Sequence, residues 1–172
     1  MKTINIIISM AVILFMVSTS GVEAQQFDNE YSRLSLKGIS EISVVIEDIA
    51  PDLQEDGLSV KELRTAIELK LRVAGIKVTT KEEADTTFGV GVLQLSVGSH
   101  KNRELSVYSL YLQLGLMQVV SLSRDMDIIV PAYTWQVSYL GLIGQMRIRG
   151  ILDAVKNATD QFINALLAVN PK

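Results

Sequence analysis

Read for hydrophobic and polar positions from the amino terminus, the chain begins with an apolar run from Ile4 to Val17, broken only by Asn5 and Ser9, behind one positive residue, Lys2. Ser18 to Gly21 then loosen the backbone, and Val22-Glu23-Ala24 places small or slim side chains just ahead of Gln25. This is the layout of an export signal over residues 1–24, cleaved after Ala24. A bilayer-spanning helix needs about 20 apolar residues. The run ends short of that at a polar exit, so a cleaved signal is expected rather than an anchor. Residues 25–37 are polar with isolated Phe27, Tyr31 and Leu34, the composition of a flexible N-terminal segment.

From Gly38 the pattern turns regular. Ile42, Val44 and Ile46 alternate with Glu41, Ser43 and Glu47, which predicts a strand, and Ala50 to Gly57 carries turn residues. Ser59-Val60-Lys61-Glu62 has the spacing of a capping box, with Leu58 and Leu63 placed as a hydrophobic staple. Val60, Leu63, Ala66, Ile67, Leu71 and Ala74 then recur at three and four, predicting a helix over 60–74 that Gly75 stops in a left-handed conformation. A short strand over 76–79 completes a β-α-β unit, whose strands should lie parallel with a right-handed crossover. Lys81 to Asp85 reads as a charged loop.

Three strands follow, over 86–97, 105–122 and 132–143, joined by short polar loops as an antiparallel meander. In the second, Tyr108, Leu110, Leu112, Leu114, Leu116, Val120 and Leu122 share one side. The other side carries Val107, Ser109, Tyr111, Gln113, Gly115, Met117 and Val119, which is mixed rather than polar. In the third, Tyr133, Trp135, Val137, Tyr139 and Ile143 alternate with Thr134, Gln136 and Ser138. A closing helix over 149–169 shows an apolar stripe of Ile151, Leu152, Val155, Ala158, Phe162, Ala165, Leu166 and Val169, ended by Asn170-Pro171. The fold class is therefore α+β. Residues 38–172 form a single domain, a two-layer sandwich of a β-α-β unit, a three-strand antiparallel meander and a C-terminal helix, with both helices on one face of the sheet.

Composition narrows the function. There is no cysteine, so neither disulfides nor thiol catalysis nor lipidation through cysteine is available, and one domain of this length can build a sufficient core without staples. The formal net charge is −3, and the basic residues are scattered, which argues against nucleic-acid binding. A single histidine, His100, falls in the expected turn from Gly98 to Arg103. Asp125-Met126-Asp127 and Glu82-Glu83-Ala84-Asp85 supply oxygen donors but lack the glycine-centred spacing of a calcium loop, so they are read as solvated turn charges. No Gly-x-Ser-x-Gly or phosphate-binding glycine loop occurs, and Gly89-Val90-Gly91 lies within a strand pattern. No metal, cofactor or catalytic residue is expected.

Glu47-Asp48 after the first strand, Leu63 to Val78, and Ala84-Asp85 leading into Phe88, Val90 and Val92 give the chain a layout that resembles small periplasmic α/β domains of bacterial envelope proteins. These are the N-terminal domain of the Tol–Pal translocation protein and the periplasmic domain of the curli-secretion lipoprotein family. It also resembles a small family of exported bacterial proteins with no assigned activity. The likeness spans residues 38–169 as an order of elements, and implies assembly or docking in the envelope with no catalytic residues to carry over.

The function expected is a non-catalytic periplasmic or secreted module that binds an envelope protein or itself. It would dock through the sheet face without helices, at Tyr111, Gln113, Met117 and Val119, or through an edge strand. A carrier of an apolar small molecule or lipid is the alternative, and a carboxylate-based hydrolase is third. No transmembrane span is expected after signal cleavage.

Overall fold

The computed structural model describes residues 23–84 and 89–171. Along the chain run β1 (Glu23–Phe27), α1 (Glu30–Leu34), β2 (Glu41–Ile46), α2 (Pro51–Glu55), α3 (Val60–Val73), β3 (Lys77–Thr79), α4 (Lys81–Ala84), β4 (Val90–Asn102), β5 (Val107–Leu122), β6 (Asp125–Gly144), a 3-10 turn (Gln145–Arg147) and α5 (Gly150–Val169). The expected signal lies outside the described residues as far as residue 22. Its last two residues, Glu23 and Ala24, begin β1.

One six-stranded sheet has the order β1-β6-β5-β4-β2-β3. β2 is parallel to both β3 and β4, whereas β4, β5, β6 and β1 pair antiparallel. The β-α-β unit is thus present as expected, and β4 inserts beside β2 on the side away from β3. Both long helices, α3 and α5, cover one face of the sheet. They pack against each other, and Lys70 on α3 reaches Asp160 on α5 at 2.6 Å.

The local signals explain α3. The Ser59 hydroxyl accepts the Glu62 amide at 3.5 Å, although only that half of the capping box is made. Leu58 and Leu63 are both buried. At the other end Gly75 takes φ +79°, with Gly75 N–H donating to Arg72 O and Ile76 N–H to Leu71 O. That pair of bonds is the Schellman closure which left-handed glycine permits.

Several expectations change. The turn over 50–57 contains a helical turn, α2, with Pro51 at its first position, where the missing N–H costs nothing. The charged loop after β3 contains α4. Thr80 caps it, its hydroxyl accepting the Glu83 amide at 3.2 Å while Glu83 accepts the Thr80 amide at 3.0 Å. β4 runs on to Asn102, which puts His100 in a strand rather than a turn. β6 starts at Asp125, not near 132, because Ser123-Arg124 alone makes the turn and Pro131 stands opposite Val119 without ending the strand. Hence β5 and β6 continue as a two-stranded hairpin past the end of β4.

Residues 25–37, expected as a flexible segment, hold β1 and α1. The Asn29 side chain accepts the amides of Tyr31 and Ser32. Asn170, at the end of α5, clamps the stretch that follows, donating to Leu36 O at 2.9 Å and accepting from Gly38 N–H at 2.7 Å.

The core lies between the sheet and the two long helices. Ile42, Leu93, Leu95, Leu114, Leu116, Trp135 and Val137 from the sheet meet Leu63, Ile67, Leu71, Val155 and Phe162 from the helices, and all are buried. Trp135 meets Phe162 edge-on, with ring centres 5.2 Å apart.

Candidate functional site

The register of β5 and β6 decides what each sheet face shows. Tyr111 stands opposite Leu140, Ser109 opposite Leu142, Gln113 opposite Ser138 and Gly115 opposite Gln136. Because facing residues in a ladder share a side, all of these lie on the face without helices. β1 adds Phe27, opposite Gln136. Leu140 is 60% exposed, Leu142 67%, Tyr111 41% and Val119 74%, and Phe27 is exposed too. Tyr111, Gln113, Met117 and Val119 all lie on this face, with Gln113 and Met117 half-buried. The Tyr111 hydroxyl donates to Gln113, which donates in turn to Gln136 Oε1 at 3.0 Å, so a short polar chain crosses the apolar patch.

One aromatic sits on the unexpected side. Tyr133 was grouped with Trp135, Val137 and Tyr139, but the ladder shifts between Leu116 and Met117, so Met117 pairs with Tyr133 while Leu116 pairs with Trp135. The extra residue, Thr134, turns toward the helices and accepts a hydrogen bond from Gln118 Nε2 at 2.7 Å. A bulge of this kind reverses the facing of every residue beyond it. Tyr133 therefore covers Gly115 on the open face, where a β-carbon on Gly115 would lie 2.7 Å from the ring. Leu140 and Leu142 were not singled out from the sequence, yet they lie opposite in parity to Val137 and Tyr139, and the alternation of β6 carried that signal.

Two polar clusters sit on the helix side. At one end of the sheet Asp56 accepts from Lys101 Nζ at 2.7 Å, from the Tyr108 hydroxyl at 2.5 Å and from Gln145 Nε2 at 2.8 Å. Lys101 also stands 5.1 Å from the centre of the Tyr108 ring. Lys101 first, then Tyr108, hold the Asp56 carboxyl below its ordinary range, while burial and the adjacent carboxylate push the Tyr108 phenol up. Tyr108 is inaccessible and both Asp56 oxygens are filled, so this is a clamp holding α2 to β4 and β5. At the opposite end Asp28 accepts from Arg33 Nε and Nη2, each at 2.7 Å, and from Trp135 Nε1 at 3.0 Å. Arg33 is the main cause that holds Asp28 low, against the opposing effect of burial.

An apolar pocket of about 160 Å3 opens between β6 and the start of α5, lined by Val97, Leu110, Tyr139, Gly141, Ile151 and Ala154 among others. The remaining candidates do not converge. His100 is exposed on the helix-free face, and Asp125 accepts the amide of Asp127 at 3.1 Å. Glu83 is engaged by Thr79 and Thr80, and Asp85 lies outside the described residues. Among the described residues no group of three His, Asp or Glu side chains is arranged to hold a metal ion, and no helix is long and apolar enough to cross a membrane.

No protein-family model and no curated protein matches the chain. Solved structures do. A PelC dodecamer from Paraburkholderia phytofirmans is 15% identical over 85% of this chain and 97% of its own, with a TM-score of 0.48. A minor lipoprotein from Acinetobacter baumannii is 11% identical over 78% of this chain and 95% of its own, with a TM-score of 0.39.

Proposed function

We propose that this chain is a non-catalytic, exported docking module of the bacterial envelope, which binds an envelope protein or a second copy of itself through the helix-free face of its sheet. The observation that carries the reading is the set of exposed apolar side chains on that face, Tyr111, Leu140 and Leu142 at one end and Phe27, Tyr133 and Val119 at the other, with Gln113 and Gln136 between them. Surface apolar residues scattered singly need no explanation, whereas large apolar side chains grouped on one face, as Tyr111, Leu140 and Leu142 are, mark an interaction site. Glu47, bonded by Gln94 on the same face, brings one carboxylate near Tyr133, and the ion pair of Glu41 with Lys77 at 2.8 Å lies out at β2 and β3.

Size bears on the partner. Four strands about 4.8 Å apart, each about eight residues long at about 3.3 Å per residue, give roughly 500 Å2 of sheet plane. A standard interface takes about 800 Å2 from each partner. The docked surface therefore extends down the hairpin, where Val119, Pro131 and Ile129 continue the same face. The apolar pocket, at about 160 Å3, is of the size that takes a single ring and is below the roughly 300 Å3 at which drug-sized ligand sites begin. That weighs against the lipid carrier.

The test introduces Tyr111→Lys and Leu140→Glu, separately and together, in the exported full-length protein. Light scattering then reads the oligomeric state and crosslinking in the envelope fraction reads the partners. Loss of the assembly or of a specific crosslink is expected. Unchanged assembly and crosslinks in the double variant would overturn the reading.

A further inference from the structure

The helix-free face has the same make-up toward both ends of its strands. Across the β5–β6 ladder Gln113 stands opposite Ser138 and Gly115 opposite Gln136, and β4 sets Ser96 and Gln94 beside them. This centre is made of amides, hydroxyls and a glycine. One step toward the β4–β5 turn the face becomes Tyr111 with Leu140, and one step toward the hairpin it becomes Met117 with Tyr133. The steps beyond add Leu142 at one end and Val119 at the other, both exposed. Apolar groups of similar size therefore flank a neutral polar centre, symmetrically about a line that crosses the strands between Gln113 and Gly115.

Such a pattern is complementary to itself. A two-fold axis along that line lays a second sheet face-down on the first with its strands reversed, so that each position meets the one equally far on the other side of the centre. Tyr111 then lies over Met117 of the second copy, Leu140 over its Tyr133, and Gln113 over its Gly115 with the Tyr133 ring that covers it. Gln136 lies over Ser138, an amide against a hydroxyl, and an amide both donates and accepts. Aligned sheets pack about 10 Å apart at about 30°, which moves the flanking groups sideways by about one strand spacing, within reach of a long side chain. None of these β5 and β6 positions is charged, so the face meets its copy without like-charge repulsion. Glu47, held by Gln94, stands a strand beyond β4 at the border of the face, where solvent and salt screen it from its counterpart.

We infer that two copies of this chain pack these faces together as a two-fold dimer centred on Gln113 and Gln136. The inference rests on the docking reading above and names a second copy as the occupant. Area agrees with it. From Ser109 to Ser121 the face runs about 40 Å at about 3.3 Å per residue, and β4, β5 and β6 make it about 14 Å wide, roughly 600 Å2 from each copy. Two copies then bury roughly 1,200 Å2, the low end of specific interfaces, so the dimer forms in a concentration-dependent way.

The experiment is sedimentation velocity on the full chain as cells deliver it, over about 1–100 µM, where a dimer of this size should dissociate. Leu140→Glu and Tyr133→Lys should each weaken the dimer about tenfold or more, because each sets a charge against an apolar side chain. The double variant in one chain should recover it, since each glutamate then meets a lysine of the other copy. Within a single copy the two positions stand about 20 Å apart along β6, too far to pair with each other. Should Tyr133→Lys fail to fold by circular dichroism, Tyr111→Lys with Met117→Glu makes the same exchange. A parent that stays monomeric at about 100 µM, an assembly of any copy number other than two, Leu140→Glu without effect, or a double variant no tighter than the single ones overturns the inference. A monomeric parent whose envelope crosslinks are lost in Leu140→Glu overturns the second copy alone and leaves the docking reading standing, whereas unchanged crosslinks as well overturn both.

Discussion

Replacing Asp28 by Ala tests how the segment before β2 is held to the sheet. Asp28 is only 8% exposed, and its carboxylate accepts three charge-assisted or buried bonds, two from Arg33 and one from Trp135. The two sets have different worth. Arg33 is 44% exposed, and an ion pair with one partner in solvent contributes about 1 kcal/mol or less. Trp135 is fully buried, so removing its acceptor leaves an indole N–H unsatisfied at about 1–3 kcal/mol. Asp28→Ala should therefore cost roughly 1–4 kcal/mol, a fall in Tm of roughly 3–15 °C for a domain of this size. Asp28→Asn keeps an oxygen for Trp135 and should cost less, and Arg33→Ala should cost least, at about 1 kcal/mol or below. Because Asp28 is held below its unfolded range, its contribution is complete above about pH 4 and is lost as pH falls through the folded value. That acid-side loss should be absent in Asp28→Asn. Urea unfolding followed by Trp135 fluorescence measures all of these. Arg33→Ala as damaging as Asp28→Ala, or Asp28→Ala within about 0.5 kcal/mol of the parent, would refute the assignment of the main cost to the indole.

Gly91→Ala would bring a β-carbon within 2.8 Å of Leu116 Cδ1 and 3.2 Å of Ile42 Cδ1, both in the packed core, and should cost about 1–3 kcal/mol in denaturant unfolding. Gly115→Ala meets chiefly the Tyr133 ring, which borders solvent and can swing away, with Gln136 Cβ at an ordinary 3.4 Å, so its cost should be smaller and its main effect should be a shift in Tyr133 NMR signals. Asp56→Asn should remove part of the acid sensitivity of folding, because Asp56 is held low by Lys101, Tyr108 and Gln145 and its support is lost as pH falls through its folded value. A melting-temperature profile against pH with the same acid limb as the parent would refute that. Tyr108→Phe should lower Tm by unpinning α2, read by faster exchange of the amides over 51–57.

The α3 helix was legible because its signals are local. A serine cap, a hydrophobic staple, a three-four stripe and a left-handed glycine each act within one or two turns of chain. The faces of β5 were legible for the same reason, since alternation is a property of consecutive residues. Tyr133 was misplaced because a bulge is decided by the partner strand, and period-two reading has no record of a residue left unpaired. The β6 start was missed because Asp125 to Pro131 does not alternate cleanly and is extended by pairing with β5 rather than by its own preference. α1 and β1 were unread for a related cause: the stretch is polar, and it is held by Trp135, Asn170 and Gln118, contributed from residues about a hundred positions away.

By itself the sequence determined the α+β class, the long helices, the parallel unit and the meander. Local periodicity and capping suffice for that, because each is written in neighbouring residues. Only the tertiary structure decided the strand order, the insertion of β4 beside β2, the joining of Tyr111 with Leu140 into one apolar face, and the pocket between β6 and α5. Those features arise where segments far apart in sequence come within a ladder spacing or a side-chain length of one another, a distance that no local pattern encodes.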